Sequence, residues 1–123
     1  MKVLTLSIKQ KWFDEILVGT KKQEFREIRP NTQKKYCELD EEGYCKEKDG
    51  VLIPRHYDAI KFLTGAYTGK RPWALVEVKD ARIELVCDEN GNNIAYEQDG
   101  EPYFEAQVVY ELGKVIEKHL KRH

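Results

Sequence analysis

No stretch of this 123-residue chain approaches the roughly 18 consecutive apolar residues that a membrane-spanning helix needs. The only apolar run near the start, Val3 to Ile8, is ended by Lys9, Gln10 and Lys11 before the core of a secretory signal can form. Cysteine is scarce and odd in number: Cys37, Cys45 and Cys87. Without a signal, the expectation is reduced thiols in a cytoplasmic protein. Tight Cys-x-x-Cys pairs are absent too. Cys37, Cys45 and His56 are separated by seven and ten residues, which does not suit a zinc framework, so no metal is expected. Net charge is nearly absent, at −1, which excludes coating of nucleic acid by bulk electrostatics. No cofactor motif stands out. Gly65 and Gly69 precede Lys70, but Arg71 follows where a phosphate loop needs Ser or Thr.

What is present is a chain 41% hydrophobic and 35% charged, enough to bury a core without staples. Its length fits a single domain over 1–123. The charge is unevenly spread. Residues 1–36 carry a surplus of five positive charges and 51–82 a surplus of three, whereas 37–50 and 83–123 are acidic. This distribution fits either one polar face or scattered solvated charge.

Val3 to Ile8 reads as a strand, and Ser7 is placed to cap a helix over 9–18. Trp12, Phe13, Ile16 and Leu17 fall on one helical face, with Trp12 read as core, and Gly19 follows at the position of a left-handed cap. Residues 21–29 read as a strand stopped by Pro30. The polar segment 31–50 reads as an insertion or long loop, with a helical turn near 32–39. Strands are expected at 57–63, 73–85 and 104–115, with turns at Asp88-Glu89-Asn90-Gly91 and Asp99-Gly100. Residues 114–123 offer a short C-terminal helix as an alternative. The fold class is therefore mainly β with one or two helices (α+β), with five to seven strands in a barrel or strongly curved sheet and a helix inserted after the first strand.

The segment Gly19-Thr20-Lys21-Lys22-Gln23-Glu24-Phe25-Arg26 gathers polar chemistry. On a strand, Glu24 and Arg26 share a face at about 7 Å, and Phe25 points the other way, toward the core. With Lys21 at the preceding turn, a carboxylate that accepts base N–H bonds, a planar guanidinium fork and a mobile ammonium meet in one place. A surface ion-pair ladder satisfies the same spacing.

Leu4-x-Leu6-Ser7-Ile8-Lys9, with Trp12…Ile16-Leu17-x-Gly19-x-Lys21-x-x-Glu24-x-Arg26, resembles the opening signature of ASCH domains. Tyr57 to Phe62, Trp73 to Val78 and Val109 to Val115 resemble later strands of that family, so the resemblance spans about residues 3–115. It implies a PUA-like β-barrel and binding of RNA or a nucleotide- or nucleoside-like small molecule in a cleft beside the motif strand. Lys21, Glu24 and Arg26 would contact the ligand, and Lys9, Arg29, Lys70 and Arg71 would add positive field at its rim. Tyr67, in a loop rich in glycine and basic residues, would stack on a base.

Some ASCH members hydrolyse an acylated cytidine nucleoside with a lysine, a threonine and a glutamate. Lys21 matches the lysine and would be the catalytic residue if this chain is such an amidohydrolase. Glu24 stands where that subgroup has threonine, and Glu77 is nearest by strand position to the glutamate. Metal-dependent RNA cleavage through Glu24 and Glu77, a base at His56, and a protein–protein adaptor without ligand complete the alternatives.

Overall fold

The computed structural model describes residues 1–65 and 70–120. Its packing divides the chain into two compact units, each assembled from segments distant in sequence. The first comprises Met1–Glu24, His56–Asp80 and the chain from Tyr110 onward; the second comprises Phe25–Arg55 and Ala81–Val109.

The first unit begins with β1 (Val3–Ser7), whose Leu4 and Leu6 are buried while Val3 and Thr5 face outward. It runs parallel to β5 (Ala59–Leu63), with Val3 opposite Ala59 and Ser7 opposite Leu63. Across β5 lies β6 (Trp73–Leu85), antiparallel, pairing Ala59 with Glu77 and Leu63 with Trp73. Ala59, Ile60 and Phe62 of β5 are all fully buried, as a central strand covered on both faces requires. The helix α1 (Gln10–Val18) lays Phe13 and Ile16 onto this core.

Two details of α1 differ from expectation. Ser7 ends β1 and accepts a hydrogen bond from Arg71 Nη2 at 3.2 Å, so Lys9 takes the N-cap position without a side-chain cap. Trp12 is 40% exposed, because the buried stripe is as narrow as Phe13 and Ile16. The C-terminus is as expected: Gly19 has φ 84°, a conformation that costs other residues a Cβ clash.

The second unit holds most of β2 (Gln23–Ile28), α2 (Gln33–Tyr36) and two hairpins. These are β3 (Glu47–Lys48) with β4 (Val51–Leu52), and β7 (Ala95–Gln98) with β8 (Glu101–Phe104). The segment expected to be a long loop thus contains α2 and the first hairpin. The second hairpin turns at Asp99-Gly100, as the sequence predicts. Ile28, Tyr36, Cys37, Ile83, Val108 and Val109 supply buried apolar side chains here.

The last strand, β9 (Ala106–His119), runs on where a C-terminal helix was the alternative. Val115 and Ile116 favour extended backbone, and β9 lies beside β6, another long strand. Phe104 belongs to β8 and is exposed. The main sheet has the order β1-β5-β6-β9-β2, mixed in direction, and it ends on β1 and β2. It is not a closed barrel; the architecture is a mainly β, α+β fold with two helices among the described residues.

Candidate functional site

The path of the chain out of α1 creates the site. Gly19 N–H bonds Ile16 O at 3.2 Å and Thr20 N–H bonds Glu15 O at 3.0 Å, the two bonds of a Schellman cap. Lys21 N–H also reaches Glu15 O, at 3.1 Å, so three successive amides are spent on the last turn of the helix. The next carbonyl, of Lys22, accepts from Leu112 N–H of β9 at 2.8 Å. Lys21 is thereby fixed between a helix end and a strand.

Lys21 opens onto a cavity of about 380 Å³ within the first unit. Ile16, Val76 and Leu112 give it an apolar floor, and Lys22, Lys79 and Lys114 join Lys21 on its walls. Glu77 is the single carboxylate among its lining residues. Four lysines and one glutamate line it, and with Lys21 held by Glu24 the other three lysines still outnumber the Glu77 carboxylate, so the lining is positive in a chain of net charge −1.

Gly113 explains how Glu77 enters this space. A Cβ at Gly113 would stand 2.1 Å from Glu77 Oε1 and 3.0 Å from Lys79 Cγ. The missing side chain is the room in which the Glu77 carboxylate lies. Gly113→Ala should displace the flexible end of Glu77 with a melting-temperature change of only a few degrees, because a movable side-chain tip yields where backbone would not. Scanning calorimetry checks the stability, and loss of ligand affinity in the same variant checks that Glu77 works from this position.

Lys21 is anchored on its other side. Its Nζ donates to Gln23 O at 2.7 Å and pairs with Glu24 Oε1 at 3.3 Å. The two side chains are only 17% and 7% exposed. The same Nζ lies 5.5 Å from the centroid of the Trp12 ring, with Lys11 Nζ at 4.6 Å. Gln23 Nε2 in turn donates to Glu111 Oε1 at 2.5 Å. Glu24 is therefore a buried partner of Lys21, and it does not line the cavity. Phe25 takes the outward face of β2, at 46% exposure, which inverts the expected orientation. Glu24 and Ile28 occupy the buried face instead.

The other expected ligand residues disperse. Arg26 is half-buried in β2 and belongs to the second unit. Arg29 is also in the second unit, where it bonds Glu27, lies 3.6 Å from Glu105 and rests 4.0 Å above the Tyr96 ring. The Glu27 carboxylate, accepting from it, raises its pKa above the ordinary arginine value. Lys9 and Arg71 line a different cavity of the first unit, about 470 Å³, with Arg71 committed to Ser7 Oγ and, through Nε, to Thr64 O at 3.3 Å. Lys70 is exposed, and Tyr67 lies outside the described residues. His56 is exposed with Nε2 3.0 Å from Asp58 Oδ1. Among the described residues, no three His, Cys, Asp or Glu side chains converge as metal ligands, and Glu24 faces Lys21 rather than the cavity that holds Glu77.

Sequence reasoning missed Lys22, Lys79, Lys114 and Gly113 as members of one site. A signal existed in Gly113, an isolated glycine in a strand run, which marks a close approach. It also missed a larger cavity of the second unit, about 590 Å³. That cavity is lined by Tyr44, Tyr96, Tyr103 and Phe104 with aliphatic residues, and among the described residues its only charged groups are Glu47 and Glu84. Tyr96 and Tyr103 face each other across the hairpin with ring centroids 5.6 Å apart.

No family model matches the chain, and neither a curated protein nor a solved structure does. The functional reading therefore rests on these side chains.

Proposed function

We propose that the first unit binds a nucleotide-like ligand, or the phosphate-bearing end of a short single-stranded RNA, in the cavity of Lys21, Lys22, Lys79 and Lys114. One observation carries this reading: four lysines and a single carboxylate surround an apolar floor. A flat ring needs the floor, a phosphate needs the ammonium groups, and base N–H groups need an acceptor such as Glu77. The volume of about 380 Å³ lies within the usual range for small-ligand sites. The ASCH and PUA-like assignment belongs to the same proposal. The segments that carry that resemblance lie in β1, α1, β2, β5, β6 and β9 and in the short connections beside them.

A second reading, amidohydrolysis of an acylated cytidine nucleoside, gains from the shared cavity of Lys21 and Glu77. It lacks the hydroxyl, since Glu24 holds Lys21 where the threonine would stand and Thr20 Oγ1 is directed to Glu15 O at 3.2 Å.

The test is isothermal titration with nucleosides and their 5′-monophosphates, N4-acetylcytidine included, with chromatography of the recovered ligand. Monophosphates should bind more tightly than nucleosides and weaken with added salt. Lys79→Ala and Lys114→Ala should each weaken monophosphate binding by about fivefold, the effect of one exposed charge. Tyr103→Ala, in the cavity with only acidic charges, should leave it unchanged. Equal binding of nucleoside and monophosphate would remove the phosphate from the reading. A consumed ligand would establish the enzyme instead, and no binding at all would favour the adaptor.

A further inference from the structure

In the second unit the chain doubles back so that Leu39 and Cys45 stand opposite each other in an antiparallel bridge. Asp40 N–H bonds Tyr44 O at 2.8 Å and Lys46 N–H bonds Glu38 O at 2.8 Å, one bond on either side of the bridge. Leu39 and Cys45 are thus a non-hydrogen-bonded pair, the arrangement in which facing side chains come closest. Cys37 precedes Leu39 by two residues, so its side chain shares that face and lies diagonal to Cys45. The Cys45 thiol lies close enough to Cys37 to disfavour its ionisation. Cys37 is 1% exposed, whereas Cys45 is half-buried and lines the cavity of about 590 Å³.

We propose that Cys37 and Cys45 form a reversible disulfide, with Cys45 as the entry thiol for a small uncharged disulfide that reaches it through this cavity. The steps balance without another reactant. Cys45 loses its proton and attacks one sulfur of the oxidant, whose S–S bond breaks and whose other half leaves as a thiolate that takes up a proton. Cys37 then loses its proton and attacks the Cys45 sulfur of the mixed disulfide, and the second half of the oxidant leaves as a thiol. Two protein thiols are oxidised and one disulfide is reduced to two thiols.

Several features fix these roles. Burial, and after it the neighbouring Cys45 thiol, push the Cys37 thiol up to about 12, which unsuits it for the first attack. Cys45 has the access that Cys37 lacks. Among the described residues, Glu47 and Glu84 are the only charged groups lining the cavity, so a neutral oxidant is preferred over an acidic one. The third cysteine, Cys87, is exposed and bonded to Asn93 Oδ1 at 3.5 Å, so it is a bystander to be removed from the test.

The experiment treats the Cys87→Ser protein with 2-hydroxyethyl disulfide, and in parallel with glutathione disulfide. Intact mass should fall by two hydrogens, digestion should yield a peptide joining Cys37 to Cys45, and reductant should reverse both. The neutral oxidant should react several-fold faster than the acidic one. Cys37→Ala should stop at a mixed disulfide on Cys45. A mixed disulfide that persists on Cys45 while Cys37 stays free to alkylate after unfolding, in the chain carrying both cysteines, would overturn the proposal. So would two unreacted thiols. Both readouts are taken on the unaltered pair, so they do not depend on how the Cys37→Ala variant folds.

Discussion

Lys21→Ala should cost the fold about 3 kcal/mol, far more than removal of any other lysine of the same cavity. The reason is Glu24, which is 5% exposed and pairs with the Lys21 ammonium at 3.3 Å. Removing the ammonium takes a charged partner from a carboxylate in a place from which water is nearly excluded, and breaking a buried pair from one side costs more than the pair contributes when whole. The Gln23 carbonyl loses the 2.7 Å donor as well. Lys79 and Lys114 are exposed, so their replacement by alanine should stay within about 0.5 kcal/mol of the parent. Urea unfolding followed by tryptophan fluorescence measures all three, and Trp12, 5.5 Å from Lys21 Nζ, should report the change in its own emission. Replacing both partners by apolar groups, as Lys21→Met with Glu24→Leu, should recover most of the loss. Equal costs for Lys21→Ala and Lys114→Ala would mean that the pair behaves as an ordinary surface bridge. The result also decides how binding is tested. Glu24 and Lys21 variants confound ligand loss with unfolding, whereas Lys79 and Lys114 report on the cavity alone.

The fold was legible in the sequence wherever local chemistry dominates. The span of α1, the Gly19 cap, the full extent of β6 and the Asp99-Gly100 turn all follow from spacing and turn residues, although the buried stripe of α1 is narrower than its apolar residues suggest. The order of strands was not legible, since it depends on which long strands find each other, and β6 and β9 determine that through pairings distant in sequence. The facing of β2 was misread for a related reason. Alternation gives two faces but does not say which is buried. Hydrophobicity argued for Phe25, yet Ile28 and the Lys21–Glu24 pair fix the opposite choice. The candidate site was half legible. Lys21 and Glu77 were named, but Lys22, Lys79, Gly113 and Lys114 converge only because the turn after α1, β6 and β9 meet in three dimensions.

Stability should fall steeply in alkali because of one thiol. Cys37 has an ordinary value of 9.0 and is raised to about 12 in the folded chain, first by burial and then by the neighbouring Cys45 thiol. Below pH 9.0 the thiol is protonated in both folded and unfolded chains, and the group imposes no pH dependence. Between 9.0 and about 12 the unfolded chain has released the proton and the folded chain retains it, so each rise in pH favours unfolding. The slope for one proton approaches about 1.4 kcal/mol per pH unit, which makes a loss of roughly 2 kcal/mol from pH 9 to about pH 10.5. Lysines and tyrosines titrate in the same range, so the measurement is a difference: urea midpoints of the parent against Cys37→Ala across that window. The variant loses the buried side chain and starts less stable, but its curve should be flatter by one proton. Parallel curves would show that Cys37 ionises as easily folded as unfolded. The oxidised chain offers an independent check, because a Cys37–Cys45 disulfide has no thiol proton to release and should flatten the alkaline limb without any substitution.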